Sequence, residues 1–279
     1  MGYARISGYD PERITVGGIA GETARLEAQA RLTFGEELRI LEDLGLAGTA
    51  PLVDLGCGTG SAAKRIRAAR PGLPVLGLDA NLTLLSRAAG SGAALACAKA
   101  GALPLRSGTA GGVLMRYVAQ HLPDPALVLA EIRRVLRPGG LLAVVEADEE
   151  LWGLARPRFT ALEAVHRKAA AARRSTGTDR RMVRQLPRLL RASGFTDVVI
   201  RPFAITNEQV PTGDFAIHLG PDQFAPLVAE GTLSLADLSL AASCWNRFRS
   251  DPDAWILLLG HIIAGRAPAD PARTPGRIT

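Results

Sequence analysis

The run Leu52-Val53-Asp54-Leu55-Gly56-Cys57-Gly58-Thr59-Gly60-Ser61 constrains this chain more than any other segment. A short apolar strand leads into a loop with glycine at every second position, and an Ala/Arg-rich stretch of helical character follows. That order sets backbone amides and a helix N-terminus against the polar end of a ligand. The next strand-like run, Val75 to Asp79, ends in a carboxylate that arrives beside the loop. The pattern points to a site for a cofactor containing a nucleoside.

The spacing narrows the ligand further. Dinucleotide sites read G-x-G-x-x-G and seat a pyrophosphate on the helix N-terminus. Here Gly56, Gly58 and Gly60 are spaced G-x-G-x-G, and Asp54 stands two residues before the first of them. A carboxylate so placed repels a pyrophosphate and suits a cationic amino group. The best fit is a ligand with an amino-acid end, a ribose and no phosphate. Asp79, 19 residues after Gly60, is placed to accept hydrogen bonds from ribose hydroxyls.

The remaining elements alternate. Strands are expected near 51–55, 75–79, 94–98, 112–116 and 141–146, with helices near 60–70, 81–89 and 125–136. Strict alternation implies a doubly wound parallel sheet, an α/β fold. Val198 to Phe203 reads as a sixth strand and Trp255 to Ala264 as the last. Leu26, Ala30, Leu38, Leu41 and Leu44 recur at roughly helical spacing, which predicts an amphipathic helix over Glu22 to Leu44 ahead of the core. Arg137-Pro138-Gly139-Gly140 reads as a helix stop that also starts a strand.

With the glycine loop stand Gly77-Leu78-Asp79, Ala102-Leu103-Pro104-Leu105, Arg116 to Leu122, Pro123-Asp124-Pro125 and Glu131 to Leu142. As an ordered set these resemble the class I S-adenosylmethionine-dependent methyltransferases, in particular the small-molecule branch of ubiquinone and secondary-metabolite pathways. The resemblance covers about Arg25 to Arg201. It implies a Rossmann-like seven-stranded sheet, mostly parallel with an antiparallel last strand. It also implies an N-terminal lid helix (1–48), a methyltransferase domain (49–266) and helical substrate-roof insertions near 150–190 and 213–250. The tail 267–279, rich in proline, is expected to be disordered. The implied cofactor is S-adenosylmethionine, its product S-adenosylhomocysteine, and the partner a small-molecule acceptor, a specialised metabolite in this branch. The residues expected to contact the cofactor are Asp54, Gly56, Cys57, Gly58, Thr59, Gly60, Asp79, Ala80, Lys99, Ala100 and Arg116. Arg116 suits the methionine carboxylate because a guanidinium fork matches a carboxylate bidentately.

Two positions depart from the resembling pattern. The resemblance predicts an acid at position 99 to accept the adenine amino group, with the next amide meeting the ring nitrogen; this chain has Lys99 and Ala100. An ammonium only donates, so that half of the recognition is lost, at a cost of about 1 kcal/mol. A second acid, before the fourth strand, is replaced by Gly111.

Methyl transfer from a sulfonium is an in-line displacement, so much of the catalysis comes from alignment. His121, just beyond the fourth strand, is the candidate base. Tyr117, Glu146, Trp152 and His166 are candidates for the acceptor's wall. No His/Cys/carboxylate spacing marks a metal site. An alternative within the same fold is a cyclase that uses the cofactor only as scaffold, and another is a noncatalytic binding protein.

Composition excludes other classes. The chain has 279 residues, 47% of them hydrophobic, and a net charge of +6 that invites the thought of nucleic acid. The basic residues are spread along the sequence, and the densest stretch, Arg173 to Arg191, reads as a solvated helical face. The loop Met115-Arg116-Tyr117-Val118 also lacks the Asn/Asp-Pro-Pro-aromatic motif of base methylation. Three unpaired-looking cysteines and the absence of an apolar core in Met1 to Asp10 fit a cytoplasmic protein. The longest apolar run, Trp255 to Gly265, is shorter than the roughly 20 residues of a membrane span.

Overall fold

The computed structural model describes residues 9–13, 15–48, 50–150 and 154–269. Five strands pair in parallel in the order β3-β2-β1-β4-β5: β1 (Leu52–Leu55), β2 (Val75–Asp79), β3 (Ala94–Cys97), β4 (Ala110–Arg116) and β5 (Leu136–Ala147). Three more follow, β6 (Leu154–Arg156), β7 (Thr196–Thr206) and β8 (Trp255–Arg266). β8 runs antiparallel to β5 on one side and to β7 on the other, which bears out the expected antiparallel last strand. Among the described residues the sheet has eight strands rather than seven. β6, three residues long, pairs with Trp255–Leu257 of β8, a stretch that lies before the β5 pairing of β8 begins at Gly260.

The sheet is apolar throughout its centre because both faces are covered. Side chains alternate between two cores, as a period of two requires. Leu52, Leu114, Leu141, Ala143 and Val145 point into one core, with α1 (Gly18–Asp43) and α2 (Ser61–Ala69). Val53, Leu55, Val113, Met115, Leu142 and Val144 point into the other, against α4 (Pro125–Val135), which follows α3 (Leu82–Arg87) in the chain. Side-chain caps fix the helix starts. Asn81 accepts from the Leu84 amide at 3.0 Å, and Asp124 accepts from Leu127 at 3.0 Å with Pro125 in the first turn. Arg137-Pro138-Gly139-Gly140 begins β5 as a bulged lead-in. The register with β4 slips between Ala110 and Gly112, and Gly139 takes a φ of 73°.

The roof follows β5. α5 (Thr160–Ser175) and α6 (Leu186–Ala192) precede β7; α7 (Ala216–Leu219), α8 (Ala225–Ala229) and α9 (Leu235–Ser250) precede β8. Within the insertion near 213–250, α9 is the one long helix, and the short helices α7 and α8 precede it. Gly220-Pro221 ends α7, and Pro226 stands in the first turn of α8. Ser234 and Asp237 form a capping box that starts α9 cleanly. α5 and α9 share a small core of their own built on Val165, Ala169, Phe224, Leu233 and Ala241.

Candidate cofactor and acceptor site

Gly56, Gly58 and Gly60 take φ of 73°, 54° and 73°, a left-handed run in which side chains are strained. Gly56 is required for a reason other than ligand approach. A Cβ there would lie 2.3 Å from Val118 Cγ2, because the loop after β4 packs directly on the glycine turn. At Gly58 the nearest atom is Leu26 Cδ1 of α1, at 3.4 Å. The turn is tied to β2: the amides of Gly56 and Cys57 donate to Leu78 O at 2.7 and 3.1 Å, and Gly58 N donates to Asp79 Oδ2 at 2.8 Å. Asp79 Oδ1 accepts from Asn81 N at 2.8 Å. Each carboxylate oxygen accepts more than one hydrogen bond, so Asp79 retains capacity toward hydroxyls. Burial raises its pKa, opposed by these amides.

Asp54 is 1% exposed, and its Oδ2 has no hydrogen-bond partner among the described residues. Burial lifts its pKa to about 7; the positive charge of Arg116 opposes the rise and Asp79 adds to it. A buried carboxylate oxygen left without a donor beside a glycine turn calls for a cationic or donor group from a ligand. Asp54, Cys57, Thr59, Asp79, Ala80, Lys99 and Ala100 border one cavity of about 2800 Å³. That exceeds the roughly 300–1,000 Å³ typical of a single small ligand and leaves room for cofactor and acceptor together. Lys99 is exposed at the rim.

Arg116 is spoken for by the protein itself. Its Nε and Nη2 donate to Glu37 at 2.6 and 2.9 Å, and Nη2 donates to Thr33 Oγ1 at 2.8 Å. Gln29, Thr33 and Glu37 lie four residues apart on one buried stripe of α1, so Arg116 clamps that helix to the end of β4. The methionine-carboxylate role expected for it competes with this pair. Tyr117, with φ of 55°, stacks under the same guanidinium at 4.7 Å and borders the cavity. Burial pushes its phenol upward.

His121 reaches the cavity. Its Nδ1 lies 3.4 Å from Thr178 Oγ1, and its ring meets that of Tyr9 at 5.0 Å. Burial, then the charges of Arg180 and Arg25, push its pKa down to about 3. The ring is therefore neutral, and its conjugate acid is disfavoured, which makes it a poor proton acceptor but leaves it able to take part in hydrogen bonds. Glu146 does not border the cavity. It lies 1% exposed beneath the post-β4 turn, accepts from Gln120 N at 3.3 Å and is raised to about 8 by burial. His166, on α5, borders the cavity with Nε2 unpartnered among the described residues and its ring edge-on to Phe224. Trp152 lies outside the described residues.

Several arginines not singled out by the sequence also border the chamber, Arg25, Arg173 and Arg180 among them. Arg25 is held by Glu22 at 2.7 and 2.8 Å. Arg173 and Arg180 belong to the basic stretch read as a solvated face, yet the fold turns both toward the cavity. Arg173 reaches only Gln223, at 3.3 Å, and Arg180 Nε is buried with no partner among the described residues. Burial, then the charge of Arg25, lowers Arg180 to about 10; burial and Arg180 lower Arg173. The Thr176-Gly177-Thr178-Asp179 break inside that basic run was the available signal, since a turn there folds one arginine back over the other.

A glycine turn locked to the acid of the next strand, at the carboxyl ends of a doubly wound sheet, is the arrangement of α/β proteins with a nucleoside-cofactor crevice. A family model for a methyltransferase domain matches residues 53–144. The ubiquinone/menaquinone biosynthesis C-methyltransferase UbiE of Acidiphilium cryptum is 32% identical over 188 residues, 61% of this chain and 72% of that protein. UbiE of Syntrophotalea carbinolica is 32% identical over 128 residues, 42% of this chain and 54% of its own length. The chain belongs to the class I S-adenosylmethionine-dependent methyltransferases. It spans 54% to 63% of the length of two of the curated relatives it matches. A possible histamine N-methyltransferase from Thermotoga maritima has the same fold, with a TM-score of 0.55 at 17% identity over 89% of this chain and 95% of that one.

Among the described residues no helix is long and apolar enough to cross a membrane, and no cluster of His, Cys, Asp and Glu is arranged to hold a metal ion.

Proposed function

We propose that the protein transfers a methyl group from S-adenosylmethionine to a small-molecule acceptor in a reducing cytoplasm. The observation that carries this reading is the buried, unpartnered Asp54 Oδ2 beside a glycine turn whose middle amide is pinned by Asp79. These groups suit the cofactor's ammonium and ribose. When bound, S-adenosylmethionine supplies a methyl group activated on a sulfonium. Asp54 would meet the amino group, Asp79 the ribose hydroxyls, and Ala100 the adenine edge, with Lys99 at the rim contributing no acceptor. The quinone-pathway relatives support a small organic acceptor.

The protein's own contribution is alignment and exclusion of water. α1, clamped by Arg116 and by the Arg65–Glu27 pair at 2.6 Å, covers the glycine turn through Leu26 as a lid. Tyr117 and His121 present the post-β4 wall, and His166 faces them from the roof. A neutral His121 orients an acceptor by hydrogen bonding better than it removes a proton. The test is calorimetric titration with S-adenosylhomocysteine, followed by mass spectrometry of extracts incubated with methyl-deuterated S-adenosylmethionine. Binding with appearance of a deuteromethyl product supports the reading. Failure to bind S-adenosylhomocysteine would overturn it, and binding with no methyl consumed would favour a cyclase that uses the cofactor as scaffold.

A further inference from the structure

Arg173 and Arg180 set a problem that the cofactor does not solve. They come from α5 and the turn after it; burial lowers the basicity of both, with the charge of Arg180 adding to the effect on Arg173 and that of Arg25 to the effect on Arg180. Arg25 has Glu22 at 2.7 Å, Arg174 has Glu149 at 3.1 Å, and Arg158 has Glu163, while Arg156 and Arg167, which border the cavity with no ion pair among the described residues, are exposed to water. Glu149 is the carboxylate whose charge most favours both Arg173 and Arg180, but it is drawn to Arg174 and forms an ion pair with neither. Among the described residues Arg180 makes no side-chain hydrogen bond, and its Nε is sealed from solvent. Leaving a guanidinium in that state is costly unless a ligand completes it.

Neighbouring groups define the missing ligand. His121 and His166 border the same space and are both held neutral, so they donate or accept without adding charge. Farther along the chamber the walls are apolar, with Phe159, Leu162, Leu219, Trp245 and Phe248. From this arrangement, and resting on the methyltransferase reading above, we propose that the acceptor is a carboxylic acid with an apolar body, its carboxylate held by Arg180 and Arg173 beside His166. A planar carboxylate matches a guanidinium fork, and one negative charge is tolerated by nearby Glu149 better than the two of a phosphate monoester.

The experiment uses the full chain saturated with S-adenosylhomocysteine and titrates matched pairs, octanoate against octanamide and benzoate against benzamide, with inorganic phosphate as a third arm. Each acid should bind at least ~10-fold more tightly than its amide, the share expected of a charge-assisted hydrogen bond. Arg180→Met should erase that preference while changing S-adenosylhomocysteine affinity by less than about twofold, and Arg180→Lys should restore part of it. Acids no better than amides, or tight binding of phosphate without the acids, would overturn the proposal. So would loss of S-adenosylhomocysteine binding in Arg180→Met, because Arg180 would then serve the cofactor. Absence of S-adenosylhomocysteine binding in the parent chain would instead overturn the methyltransferase reading on which the proposal rests.

Discussion

Replacing Asp54 by Asn separates what this carboxylate costs the empty protein from what it gives the cofactor. The side chain is 1% exposed, and burial lifts its pKa from 3.8 to about 7. An acid whose folded pKa is raised holds its proton more tightly when folded. Its favourable contribution is therefore complete below about pH 4 and is lost as pH rises toward 7. Raising the pKa from 3.8 to about 7 corresponds to ~4 kcal/mol, at about 1.36 kcal/mol for each tenfold change in proton affinity. Water in the open chamber screens part of this, so a gain of ~1–3 kcal/mol is expected for ligand-free Asp54→Asn at pH 8. That gain should shrink toward zero near pH 4, where the native carboxyl is protonated. Affinity should move the other way. Losing the charge-assisted contact to the cofactor's ammonium weakens S-adenosylhomocysteine binding by ~10-fold or more. Urea unfolding at pH 4.5 and pH 8, paired with calorimetric titration at pH 8, measures both effects. An Asn variant that is less stable than the parent at pH 8, or that binds S-adenosylhomocysteine equally well, would refute the reasoning.

Gly56→Ala should destabilise the protein by ~1–3 kcal/mol through left-handed strain and the clash with Val118, and Val118→Ala should recover part of that loss; purely additive effects would show that the two do not touch. Arg116→Met leaves Glu37 buried without its cation and should cost ~3–5 kcal/mol in chemical unfolding, whereas a loss under ~1 kcal/mol would mean that the clamp contributes little. The imidazole of His121 should remain neutral down to about pH 4 when followed by NMR, since its pKa is pushed down to about 3, and an inflection near 6.5 would contradict its burial among arginines. Lys99→Asp should tighten S-adenosylhomocysteine binding several-fold by returning an acceptor to the adenine edge, about 1 kcal/mol; weaker binding would place the adenine elsewhere.

The positions of the core strands and the glycine turn were legible in the chain because their causes are local. Apolar runs bounded by Gly and Pro fix β1, β2 and β4, and three glycines two residues apart permit one tight left-handed turn before α2. Asp54 stands in β1 just before that turn and Asp79 at the end of β2, so the position of each follows from its own strand. Side chains whose neighbours come from distant segments were not legible. Arg116 bonds to Glu37, 79 residues away, and Glu146 supports a turn 26 residues before it, so neither role follows from a motif. β6 escaped notice because three residues form a strand only when β8 extends past the pairing of β5. Arg173 and Arg180 show the limit most directly. In sequence they belong to a polar, basic run that reads as solvated. The chain turns at Gly177 and packs Thr178 beside His121, and that tertiary contact brings both guanidinia to the cavity, where burial lowers their basicity. Local chemistry thus determined the glycine turn and the acid at the end of β2, while long-range packing decided which charges border the cavity. Burial is a property of the whole fold and leaves no mark on the residues that undergo it.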